Sequence, residues 1–169
     1  MVKTILIVVC LTLLLTVAGA QEQKKKEFTQ LDTALVVAVE TKFDPSRNAE
    51  QDIQNAILEA KRTGKRIILD VGGEWCGWCK ALDRFFDEHA DLATYRAKNY
   101  VWLKINYSPE NENKEVLSRY PEIKGYPHLF VLGEDGKLLH SQSTSPLEEG
   151  KSYNLGRMFD FLKKWAPPS

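Results

Sequence analysis

Two cysteines stand three residues apart in Glu74-Trp75-Cys76-Gly77-Trp78-Cys79-Lys80, among aromatics and one lysine. Three chemistries use such a pair: a half-site for zinc, a short covalent staple, or a dithiol that exchanges electrons. A staple gains stability with the length of the loop it closes, and here only Gly77 and Trp78 lie between the sulfurs. A zinc site needs more ligands. The sequence offers no second cysteine pair, and its histidines are His89, His128 and His140. His89 lies about three helical turns beyond Cys79, too far to share an ion with both sulfurs at ~1.5 Å rise per residue. Redox exchange is the chemistry that the spacing favours, and no metal is expected.

From Cys76 onward, Cys79, Leu82, Phe86 and His89 fall on one face at helical spacing, with Phe85 beside them. The two sulfurs therefore open a helix. Unpaired backbone N–H groups and the positive end of the helix dipole favour a thiolate there. In such motifs the thiol pKa falls from about 8.5 to roughly 3.5–7.5. Cys76 is read as the nucleophile. Cys79, one turn on and facing the core, is read as the resolving thiol that attacks a mixed disulfide formed at Cys76.

The elements around this helix follow from local signals. Asn48 and Gln51 resemble a capping box, and Ile53, Ala56, Ile57 and Ala60 recur at helical spacing until Gly64. Residues 66–71 read as a strand that Gly72-Gly73 breaks, 100–106 as a second strand, 113–120 as a short helix and 129–132 as a third strand. Asp135-Gly136 marks a hairpin turn into a strand over 137–141, and 142–151 reads as a polar loop. Leu155, Met158, Phe159 and Leu162 trace the face of a last helix ended by Pro167-Pro168. Residues 34–39 (ALVVAV) form a further short apolar run of strand length. The order predicts an α/β fold with a parallel strand pair, a crossover and a closing antiparallel hairpin.

Residues 1–20 read as a cleavable export signal: Lys3, an apolar run from Ile5 to Val17, then Ala18-Gly19-Ala20. The run is shorter than the ~20 residues of a spanning helix, so no stable membrane insertion is expected after cleavage. Val8 and Val9 before Cys10 disfavour lipid modification. Residues 21–27 (QEQKKKE) read as a polar linker, and 28–169 as one domain. Of 23 basic and 23 acidic side chains only Lys3 lies in the leader, leaving 22 against 23. That balance supplies no field for nucleic acid or a membrane surface. Export places the cysteine pair where a disulfide persists.

The segment Leu69 to Lys80 (LDVGGEWCGWCK) resembles the active-site segment of the thioredoxin family, and in particular its secreted bacterial members that carry Trp-Cys-Gly-Trp-Cys-Lys. The resemblance runs from about Asn48 to Trp165. It implies a thioredoxin-like fold with a central mixed sheet flanked by helices. It makes Asp70, six residues before Cys76, the family's buried acid beside the second cysteine, and Lys104 the acid's partner. Gly125-Tyr126-Pro127 matches the family's cis-proline motif, although proline bonds in general are mostly trans. Trp75, Gly77, Trp78, Tyr126 and Pro127 become the substrate-binding surface, with the Tyr126 backbone pairing to an extended client.

Two departures stand out. Gly72 takes the place of a large aromatic two residues after the acid, and Trp78 replaces the usual proline between the cysteines. The function so implied is thiol–disulfide exchange on protein thiols and disulfides, by a monomer without a cofactor. It would act in a periplasm, or after secretion, with a redox partner such as a membrane-embedded thiol carrier. The alternative is a client-binding, chaperone-like module that keeps the fold without the redox step.

Overall fold

The computed structural model describes residues 42–168. The export signal at 1–20, the linker at 21–27, the apolar run at 34–39 and the domain start at 28 lie outside the described residues.

Helix α1 (Ala49–Thr63) begins where the Asn48 side chain, in an extended backbone conformation, accepts the Gln51 N–H at 3.1 Å. Only half of the capping box forms, because the Gln51 amide turns forward to Asn55 at 3.1 Å. Gly64 ends the helix at φ 68°, a left-handed conformation that glycine adopts without steric cost. Glu50 and Asp52 in the first turn and Lys61 and Arg62 in the last complement the helix dipole.

Strand β1 (Arg66–Gly72) pairs in parallel with β2 (Tyr100–Asn106) and antiparallel with β3 (His128–Leu132). β4 (Leu138–Ser143) then pairs antiparallel with β3, giving the order β2-β1-β3-β4. The central strand is buried on both faces, and for that reason its sequence is a nearly unbroken apolar run. Ile67, Leu69 and Val71 face α1 with Val101, Leu103 and Ile105. Ile68, Trp102, Leu129 and Val131 face the other side. Three helices cover that side: α2 (Gly77–Glu88), α3 (Ala90–Asn99) and α5 (Leu155–Lys164). The parity of β1 puts Asp70 and Gly72 on the same face as Ile68, toward α2.

The expected helix beyond Cys76 stops at Glu88. His89 (φ −125°, ψ 79°) breaks the chain, its ring nitrogen Nδ1 2.7 Å from the Phe85 carbonyl, and α3 starts at once. Helix α3 carries no apolar stripe, because it buries one large side chain, Leu92, with Tyr95 packed at the margin of the core. The short helix forms as α4 over Lys114–Leu117.

Gly136 (φ 81°) makes the predicted hairpin turn, its N–H reaching the Gly133 carbonyl at 3.0 Å. The stretch expected as a polar loop is more ordered than that. It holds the end of β4, a 3₁₀ turn at Ser145–Leu147 and β5 (Glu148–Glu149), which Gly150 at φ 61° turns into its partner β6 (Ser152–Tyr153) just beyond the stretch. Helix α5 is rotated from its expected face: Phe161 completes the buried stripe with Met158 and Leu162, while Leu155 stays 40% exposed. It ends at Lys164, ahead of Pro167-Pro168.

Candidate active site

After β1, Gly73 to Trp75 fold into a tight turn that the Cys76 N–H closes onto the Gly73 carbonyl at 3.0 Å. Cys76 is the N-cap of α2 with extended backbone angles, and its Sγ accepts the Cys79 N–H at 3.1 Å. The cap that serine or aspartate commonly supplies is here a sulfur. The two cysteines form a disulfide with Cα atoms 5.2 Å apart, and both are buried, Cys76 4% exposed and Cys79 1%. The first turn of α2 contains no acidic residue. On reduction, the Cys79 N–H and the positive helix end therefore act on Cys76 undiminished by their own helix.

Asp70 lies in register opposite Lys104, and the two side chains meet at 3.3 Å, with the lysine buried rather than reaching solvent. Asp70 Oδ2 also accepts the Trp102 indole N–H at 3.2 Å. Its Oδ1 is buried without a hydrogen bond. Burial pushes the Asp70 carboxyl above its ordinary range, and Lys104 and Trp102 oppose the rise only in part. A raised folded pKa means that the folded state binds the proton more tightly than the unfolded one. Stability is then greatest below the ordinary carboxylate pKa of about 3.9 and falls as pH rises through the folded pKa. Asp70→Asn is expected to remove this component from the pH dependence of the urea midpoint. An unaltered profile would mean that Asp70 binds its proton equally tightly in the folded and unfolded states.

Two further side chains complete the surroundings, and sequence reasoning missed both. Lys104 Nζ contacts Asp83 Oδ1 at 2.7 Å, and the Asp83 side chain is 43% exposed. Lys104 thus bridges a buried carboxyl to a solvent-facing one. Asp83 follows Cys79 by one helical turn, a spacing that places both on one side of α2; the apolar stripe drew attention away from it. Phe43 packs against both cysteines, with the Lys104 Nζ 4.0 Å from its ring centroid. No periodicity marks Phe43, which precedes α1.

Phe43 explains Gly72. A Cβ at Gly72 would stand 2.5 Å from Cys79 Sγ and 3.1 Å from the Phe43 ring. The missing side chain leaves no opening for a substrate: Phe43 and the sulfur fill it.

The remaining expected site residues divide. Tyr126-Pro127 is cis. Tyr126 borders the Phe43–cysteine cluster, stacks on Tyr107 at 4.9 Å and meets Trp75 edge-on at 5.6 Å. Burial, then the neighbouring Tyr107, raises its phenol to about 12. Trp75 is 57% exposed, held by its indole N–H to the Tyr107 carbonyl at 2.7 Å. Trp78 borders the Phe43–cysteine cluster as well and reaches the α2-side core, edge-on to Tyr153 at 5.7 Å, and its carbonyl accepts the Tyr153 hydroxyl at 3.1 Å. Gly77 is exposed, with space around it for a Cβ.

His128 is buried and paired in register with Val71, on the sheet face opposite Gly72. Burial lowers its pKa, and its Nε2 lies 2.8 Å from Ser141 Oγ. Among the described residues no group of three or more His, Cys, Asp or Glu side chains could hold a metal ion.

A family model described as thioredoxin-like matches residues 48–133, just over half of the chain. The chain belongs to the thioredoxin-like family. A protein disulfide-isomerase of Datisca glomerata is 27% identical over 104 residues, covering 61% of this thioredoxin-like chain and 19% of its own length. A thiol:disulfide interchange protein DsbD of Pseudomonas fluorescens is 26% identical over 117 residues, covering 68% of this chain and 18% of its own. The chain therefore spans less than a fifth of the length of these relatives. The crystal structure of a disulphide isomerase from Xylella fastidiosa superposes with a TM-score of 0.63 at 27% identity, over 72% of this chain and 94% of that one. The match supports the mixed sheet and flanking helices as a thioredoxin-like fold.

Proposed function

We propose that this protein is a thiol–disulfide oxidoreductase acting on protein cysteines through Cys76 and Cys79. The observation that carries the reading is the disulfide at the amino end of α2, with Cys76 Sγ accepting the Cys79 N–H. In the reduced protein, the Cys76 thiolate attacks one sulfur of a client disulfide, forming a mixed disulfide and expelling the client's other thiolate. The Cys79 thiolate then attacks Cys76 Sγ, which re-forms the internal disulfide and releases the client as a dithiol. Two electrons pass to the client, and the reverse sequence oxidises it.

Asp70, on the face of β1 that meets Cys79, takes the Cys79 proton as that thiol becomes nucleophilic. Lys104 holds Asp70 in place and, through Asp83, connects it to solvent. Tyr126 and Trp78, packed against the Phe43–cysteine cluster, with Trp75 edge-on to Tyr126 and the cis Pro127 following it, form the client-binding region. Gly77 contributes backbone, and the Trp78 ring joins the cysteine cluster to the α2-side core.

Residues 1–20 direct the chain to an exported compartment, the periplasm, where a membrane thiol carrier renews its electrons and the domain acts as a monomer. Names such as thiol:disulfide interchange protein and disulphide isomerase among the relatives support a role in thiol–disulfide exchange. Among the described residues no helix is long and apolar enough to cross a membrane.

The deciding experiment is the reduction potential of the Cys76/Cys79 couple, by equilibration with a glutathione or dithiothreitol series. A potential near −270 mV, about that of thioredoxin, would assign a reductase, and one near about −120 mV an oxidant of exported thiols. Failure of the reduced protein to pass electrons to any disulfide-bonded protein would overturn the exchange reading.

A further inference from the structure

Phe43 and Trp75 belong both to the surroundings of the disulfide and to a neighbouring open groove of about 850 Å³. Phe43, Trp75 and Tyr107 give the groove aromatic surface, Glu74, Glu110 and Glu112 give it carboxylates, and among the described residues no lysine, arginine or histidine lines it. Glu112 is paired with Lys114 at 2.6 Å. Glu74 Oε1 accepts the Phe43 N–H at 3.2 Å, and its charge and that of Glu110 face an incoming chain.

The far wall, in the segment from Ser108 to Lys114 that follows β2, is tied down by hydrogen bonds. Ser108 and Asn111 exchange backbone hydrogen bonds at 3.1 Å each, and the Asn106 amide donates to the Asn111 carbonyl at 2.8 Å. Asn113 reaches back to the Asn106 carbonyl at 2.7 Å, and Asn111 reaches across to the Pro45 carbonyl at 2.9 Å. On the near wall, a Cβ at Gly73 would collide with the Trp75 indole and stand 2.9 Å from the Tyr107 carbonyl. Glycine there lets the indole lie against Tyr107. Hydrogen bonds of Ser108 and of its own backbone keep the Glu110 carboxyl below its ordinary range, so it is charged at neutral pH.

From this we infer that the groove is a client-selecting subsite. Resting on the exchange reading above, it takes the stretch of client polypeptide that flanks the reacting cysteine, and it prefers an aromatic or large apolar side chain beside a lysine or arginine. The apolar side chain enters between Phe43 and Tyr107. The cation meets Glu74 and Glu110 and lies over the exposed Trp75 ring, whose face attracts positive charge. Charge complementarity of this kind acts mainly on encounter rate and selectivity, and salt screens it.

The test uses two disulfide-linked peptides that differ only beside the cysteine, one with Phe-Arg and one with Phe-Glu. For the reduced full-length protein at low salt, kcat/KM for the basic peptide should exceed that for the acidic one by about threefold to tenfold, the range of one or two exposed charge pairs. The ratio should shrink in 0.5 M salt and fall to one or below in Glu110→Lys, with Glu110→Gln between. In parallel, anisotropy of labelled peptides carrying serine for cysteine, titrated with the oxidised protein, reads the groove without turnover. Turnover of both peptides with no discrimination in either assay overturns the groove. Selective binding of the basic peptide, lost in Glu110→Lys, with no turnover of either peptide keeps the groove and overturns the exchange reading.

Discussion

Cys79→Ser is expected to halt the protein at a covalent intermediate: the client stays attached to Cys76 as a mixed disulfide, and turnover falls by about 100-fold or more. The resolving attack is intramolecular, from one helical turn away, and well-placed groups of this kind act with effective concentrations far above those of a thiol in solution. With Cys79 absent, external thiol at millimolar concentration must do the same work. The adduct should appear as a mass increase equal to the client, reversed by dithiothreitol, and should be absent from Cys76→Ser. A Cys79→Ser protein that turned over normally without accumulating adduct would sink the assigned order of attack. The order itself rests on the N-cap position of Cys76 and on the place of Cys79 one turn on, against the β1 face that carries Gly72 and Asp70.

The second large effect is expected at Gly72. Replacing it with alanine puts a methyl group 2.5 Å from Cys79 Sγ, and 3.1 and 3.3 Å from two carbons of the Phe43 ring. Overpacking of a closed core costs about 1–3 kcal/mol. Here the group that must yield is a reacting sulfur, so exchange should slow as well. Phe43→Ala alone leaves a hole where a buried aromatic stood, a class of change that costs about 3–5 kcal/mol. Combining the two should cost less than their sum, because the new methyl then has room on the ring side, although its clash with the sulfur stays. A coupling of about 0.5 kcal/mol or more in urea midpoints would show it. Strict additivity would mean that Phe43 and Gly72 do not share the space assigned to them.

The parts legible in the sequence were those with a local signal. Asn48 and Gly64 mark both ends of α1, and the cysteine spacing and apolar stripe mark α2. The run YVWLKIN gives β2 its observed limits. Parity along β1 and β2 was enough to bring Asp70 and Lys104 to one face. What stayed hidden lacked periodicity or depended on contacts distant in the chain. Helix α3 buries only Leu92 deeply, so its sequence has no stripe to read. The rotation of α5 is set by the partners of Phe159 and Phe161 in the folded core. Asp83 is legible only once Lys104 is known to end beside it. The polar insertion after β2 gives no hint that its asparagines would bind one another and Pro45 into a wall.

Phe43 also sets a limit on what can be moved. The aromatic that packs on the two sulfurs comes from the segment before α1, upstream of the region that the family model matches. Grafting residues 69–80 onto another thioredoxin-like scaffold would carry the sulfurs and the glycine but leave behind the ring that fills the space over them. A fragment cut at Asn48 would keep every element of the sheet and still have a different redox centre, wetter and looser around Cys79. For this protein, the edge of the catalytic unit lies several residues outside the edge of the recognisable motif.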